Sequence, residues 1–66
     1  MKMKRYMIVR LGENIDKNFE DFTESIDYAL RIYNEFIDYV KNIDNDCIFI
    51  GIYDFNIKKW IYITKS

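Results

Sequence analysis

Histidine and proline are absent from this chain, cysteine occurs once, and glycine only twice, at Gly12 and Gly51. Without histidine the chain lacks the commonest general base and the commonest metal ligand, and the expectation is a protein that is not an enzyme and holds no metal or cofactor. The single Cys47 excludes an internal disulfide, a CxxC redox pair and a zinc-binding cysteine cluster within one chain. Flanked by apolar residues, with no histidine to activate it, Cys47 reads as a buried strand thiol. Two isolated glycines cannot build a P-loop or a dinucleotide-binding fingerprint. There is no low-complexity run, and half the residues are apolar and 18% aromatic, so the chain is too hydrophobic to stay disordered.

Long hydrophobic runs are missing as well. The opening segment is charged at Lys2, Lys4 and Arg5, and its apolar run ends at Arg10. That is too short for a signal peptide or a membrane span, and the expectation is a cytoplasmic protein. Sixty-six residues suit a single domain over 1–66, near the size at which one hydrophobic core is marginal and a partner often helps. Carboxylates one helical turn apart, Glu20 with Glu24 and Glu35 near Asp38, read as solvated charges. Asp44-Asn45-Asp46 opens like a calcium loop, but Ile48 takes a ligand position, Phe49 the turn glycine and Phe55 the bidentate glutamate.

What is present is uneven charge and abundant aromatics. Residues 1–11 carry four cations and no acid, residues 12–46 carry ten acids against three cations, and residues 47–66 carry three cations against one acid. The strand-like ends are basic and the middle is acidic, a field that steers basic partners.

The β-rich stretch Tyr6-Met7-Ile8-Val9 predicts a strand over 4–11, followed by a polar loop. Phe22, Ile26, Leu30, Tyr33, Ile37 and Val40 recur at helical spacing and predict a helix over 21–42, with Asp21 and Glu24 as a capping pair. Tyr28, Ile32 and Tyr39 fall beside the main stripe and widen the apolar arc to roughly 200°, more than one small sheet covers. Residues 47–54 and 58–64 read as two strands of a hairpin around Asp54-Phe55-Asn56-Ile57. A four-residue loop pairs Gly51 with Trp60 and Ile50 with Ile61. It collects Ile48, Ile50, Ile52, Ile61 and Ile63 on one face and Phe49, Tyr53, Trp60 and Tyr62 on the other. A three-residue loop with Asn56 in the left-handed region is the competing register and mixes the two sets. The predicted class is α+β, a β-α-β-β domain with one helix on a three-stranded sheet. Its strand order is 1-3-2, with the Trp60 strand central, or alternatively 1-2-3.

Both faces of such a hairpin are apolar and one helix covers only one of them, so an aromatic surface is left for a partner. The sequence therefore points to a non-enzymatic protein-binding module with a protein or self partner, a homodimer in the latter case. The contact residues would be Phe49, Tyr53, Trp60 and Tyr62 on the sheet and Tyr28, Ile32 and Tyr39 on the helix. The alternative is a small binder of single-stranded nucleic acid or nucleotides, stacking bases on the sheet aromatics with Arg5, Arg10 and Lys58 as basic contacts. In size, acidity, aromatic content and Ile/Lys/Asn bias the chain looks broadly like the accessory and anti-defence proteins carried by phages of low-GC bacteria. That likeness implies an inhibitor of a host protein acting through its aromatic sheet face and acidic helix.

Overall fold

The computed structural model describes residues 4–13, 18–42 and 47–65, with the side chains of all but Asn42, Cys47 and Lys65. The expected buried thiol of Cys47 and the calcium-loop-like stretch at 44–46 fall outside what is described. The elements run β1 (Tyr6–Gly12), β2 (Phe19–Thr23), α1 (Ile26–Asn42), β3 (Cys47–Asp54) and β4 (Lys59–Lys65). The class is α+β, with one helix on one face of an antiparallel sheet ordered β2-β1-β3-β4.

The sheet has four strands rather than three, because residues 19–23 pair with β1 instead of opening the helix. Phe19-Glu20-Asp21-Phe22-Thr23 alternates between half-buried and exposed positions, the period of a strand lying on a sheet edge. Phe22, read from its spacing as the first helical anchor, sits opposite Met7 on this strand. The helix starts later, at a serine cap. Ser25 Oγ accepts from the Tyr28 amide at 3.2 Å and the Ser25 carbonyl from Ala29 N at 3.1 Å. Thr23 Oγ1 in turn accepts from Ser25 N at 3.0 Å, which fixes the corner between strand and helix.

The extra strand also changes the topology. β2 reverses the chain before the helix begins, so β1 and β3 pair antiparallel, while β2 and β3 run parallel with β1 between them. The helical crossover that would join parallel strands thus connects β2 to β3, as a split βαβ unit. The central partner of β1 is the strand at 47–54, not the Trp60 strand. The order of the three expected strands is the 1-2-3 alternative, and both of its pairings are antiparallel.

The hairpin loop has four residues, shifted by one to Phe55–Lys58, and Asp54 pairs with Lys59 and Tyr53 with Trp60. Beyond that point the register slips, so that Ile52 pairs with Tyr62 and Gly51 with Ile63, leaving Ile61 as the extra residue of a bulge on β4. The left-handed residue of the turn is Lys58, at φ 56°, not Asn56. The bulge keeps Ile61 against the core with Ile50 and Ile52. It also turns Tyr62 to the helix side and Ile63 to the other, reversing the expected positions of both.

The core lies between helix and sheet: Tyr6, Ile8, Ile50 and Ile52 from the strands meet Ala29 and Tyr33 from the helix, with Ile26, Leu30, Ile32, Phe36, Ile37 and Val40 around them. Ile8, Ile50 and Ile52 are fully buried, and each contributes about 1.5–3 kcal/mol through its loss of water contact. Tyr33 ties the layers together, its ring 5.7 Å from Tyr62 and its hydroxyl 2.6 Å from Thr64 Oγ1.

Candidate functional site: the open aromatic face

Strand alternation gives the sheet a second face, away from α1. β1 contributes Met7, Val9 and Leu11, and β3 contributes Phe49, Gly51 and Tyr53, each opposite its counterpart. β2 adds Glu20 and Phe22, while β4 adds Trp60 and Ile63. Rings on this face touch in series. Phe49 meets Trp60 edge-on at 5.1 Å, Trp60 meets Tyr53 at 5.1 Å, Tyr53 meets Phe55 at 5.0 Å, and Phe55 stacks on Phe22 at 6.3 Å. Edge-to-face pairs of this kind are worth about 0.5–1.5 kcal/mol beyond the area they bury, so the row is a preorganised surface.

Gly51 makes this arrangement possible. A Cβ there would stand 2.7 Å and 2.8 Å from Phe49 ring atoms and 3.0 Å from a Trp60 ring carbon. The indole lies beside the bare backbone of Gly51, reaching it diagonally and not from the directly opposed position expected from the sequence, which Ile63 takes.

Of the expected contact residues, Phe49, Tyr53 and Trp60 come together here. Tyr62 does not: it packs against Tyr33 on the helix side. Tyr28 and Tyr39 are exposed on the helix, whereas Ile32 is partly buried against the core. The Tyr28 hydroxyl donates to Asp21 Oδ2 at 3.1 Å, and that hydrogen bond to a carboxylate raises the phenol's pKa above the usual tyrosine value. Phe22 and Phe55, which complete the ring series, were not singled out from the sequence. Phe22 was hidden in an apparent helical stripe, and Phe55 in a turn, where no periodicity applies.

The three expected basic contacts are dispersed. Arg5 Nε and Nη2 donate to the two carboxylate oxygens of Asp54 at 3.1 Å and 3.0 Å, a fork that holds Asp54 below the usual aspartate range and raises Arg5. Arg10 is buried on the helix side, its guanidinium 6.0 Å from the Phe36 ring centre. Lys58 is exposed in the β3–β4 turn. The margins of the open face have opposite character, with Glu20 and Glu24 exposed along the β2 side and Lys58 exposed in the turn on the β4 side, while Lys59, paired with Asp54, lies on the helix side of β4. Among the described residues no three metal-ligating side chains converge, and no helix is long and apolar enough to cross a membrane.

No protein-family model, no curated protein and no solved structure matches this chain.

Proposed function

We propose that the protein is a non-enzymatic protein-binding module whose working surface is the open face of the sheet, anchored on Trp60. The observation that carries this reading is the continuous row Phe49, Trp60, Tyr53, Phe55 and Phe22, which spans the sheet from β4 to β2 with no helix over it. Tryptophan and tyrosine, set centrally among neighbouring rings, are the side chains that dominate interface energetics. An exposed apolar surface of this kind on a small domain marks an interaction site. On the opposite side, α1 exposes Asp27, Glu35 and Asp38 together with Arg31 and Lys41, a mixed-charge surface that does not carry the acidity expected of the helix. The wider reading is an inhibitor of the sort that phages and mobile elements direct at host proteins, acting by occluding a surface.

Base stacking fits less well. Arg5 is committed to Asp54 and Arg10 to the helix side, which leaves Lys58, at one end, as the expected basic contact beside the aromatics, too few to track a phosphate backbone. The test compares the wild-type chain with Trp60→Ala after circular dichroism has shown both folded. Association with protein, self or foreign, should be present in the first and lost in the second. Titration with single-stranded oligonucleotides at low salt should leave Trp60 emission unchanged. Strong salt-sensitive quenching would instead assign the face to nucleic acid.

A further inference from the structure

We propose that the occupant of this face is a second copy of the chain, docked sheet on sheet about a two-fold axis that runs along the strands, an inference that rests on the protein-binding reading above. In this arrangement β2 of each protomer lies over β4 of its partner, and β1 lies over β3.

Area is the first argument. Leu11, Phe22, Trp60 and Ile63 are each between 38% and 52% exposed. Side chains of this size present about 150–250 Å², so these four alone leave on the order of 350 Å² of apolar surface. The half-buried Met7, Phe49, Tyr53 and Phe55 and the long charged side chains at the margins bring the face toward the roughly 800 Å² per partner of a standard interface. A flat four-stranded face matches another face of the same size and curvature, because aligned sheets pack at about 10 Å with their strands crossing at about 30°.

Charge is the second argument, and it selects the axis. The centre of the face, across β1 and β3, carries no charged side chain, so two copies can be apposed there without burying like charges. The margins differ in sign: Glu20 and Glu24 lie along β2, and Lys58 at the turn end of β4, with Lys59 beside it on the helix side. Thr23 is level with Tyr6, Asp54 and Lys59 across the sheet, so Glu24 stands at the same end as Lys58. A two-fold axis along the strands keeps that end in place and exchanges left for right. Glu24 of one protomer then meets Lys58 of the partner subunit, twice in each dimer. An axis across the strands would set the acidic β2 margin on its own copy and carry each Lys58 to the end of the sheet away from the partner's Glu24, so neither charge would gain an opposite partner. Isologous closure buries both aromatic rows and ends the assembly at two copies, with the helices outward.

Sedimentation equilibrium on the intact chain tests this. The wild type should reach twice the chain mass with rising concentration, and Trp60→Ala should remain monomeric. Glu20→Lys with Glu24→Lys should weaken self-association by about tenfold or more, and so should Lys58→Glu. The two charge-reversed chains, mixed, should form a one-to-one heterodimer, and all three changes in one chain should restore the wild-type constant. If neither reversal weakens the dimer, the two-fold arrangement is overturned. A wild type that stays monomeric at all concentrations, yet loses a foreign protein on Trp60→Ala, overturns the second copy and keeps the protein-binding face. If Trp60→Ala alters neither self-association nor any other protein contact, the face itself is wrongly identified.

Discussion

Asp54 shows how one buried charge can be held by geometry. Its residue is 3% exposed, it receives two N–H groups from Arg5, and its Oδ1 also accepts from Asn56 N at 2.9 Å, closing the start of the β3–β4 turn. Hydrogen bonds from Arg5 and the turn amides favour the carboxylate and lower its pKa, outweighing the opposite push from burial. In the unfolded chain the same group titrates near about 3.9. A group whose folded pKa is depressed contributes stability above the unfolded value and loses it as the pH falls through the folded one. Urea midpoints of the wild type should therefore decline steeply below about pH 4. Asp54→Asn, less stable at neutral pH because Arg5 loses its partner, should show a shallower decline in that window. Equal slopes for the two proteins would mean that the Arg5 fork does not stabilise the carboxylate.

At the scale of the element, the β3–β4 hairpin carries its strain at Lys58. An L-residue held at φ 56° costs about 1–2 kcal/mol relative to its ordinary conformations, and glycine pays no such penalty. Lys58→Gly is expected to raise unfolding free energy by about 0.5–1 kcal/mol once glycine's greater chain entropy is deducted, seen as a higher melting temperature. A lower one would mean that the lysine side chain makes up for its backbone. The same hairpin shows what could be read from sequence. Alternation placed Phe49, Tyr53 and Trp60 opposite Ile50, Ile52 and Ile61, because a period of two survives any register that keeps the isoleucines together. The bulge at Ile61 was not legible: closing the turn at Phe55–Lys58 would by itself pair Ile52 with Ile61, and the further slip that pairs Ile52 with Tyr62 leaves no mark in the alternation. β2 was missed for a related reason. Five residues with Phe at 19 and 22 satisfy a helical spacing as well as a strand one, and only pairing with β1 decides between them. Once β2 is placed, the helix start moves to Ser25, β1 and β3 become antiparallel, and Phe22 joins the aromatic row.

On the scale of the whole molecule, the helix and four strands of the described residues form two layers, and no described element covers the outer face. Ile61 and Trp60 are neighbours in sequence on opposite sides of this division. Ile61 packs on the core through the bulge, while Trp60 is 42% exposed and touches Phe49 and Tyr53 on the open face. Truncating Ile61 to alanine removes core contacts and leaves a void, and for a partly buried isoleucine the expected cost is about 2 kcal/mol of stability with association lost only as the fold is lost. Truncating Trp60 removes two edge-to-face ring contacts, together about 1–3 kcal/mol, but opens no enclosed cavity, so the chain is expected to stay folded. Its effect on association should be roughly 2 kcal/mol or more, as for a central anchor of an interface. Thermal melts and association constants of Trp60→Ala and Ile61→Ala, measured side by side, separate the two roles. Should Trp60→Ala unfold the chain while Ile61→Ala leaves stability untouched, the face assigned here to a partner would instead be the side of the sheet on which folding depends.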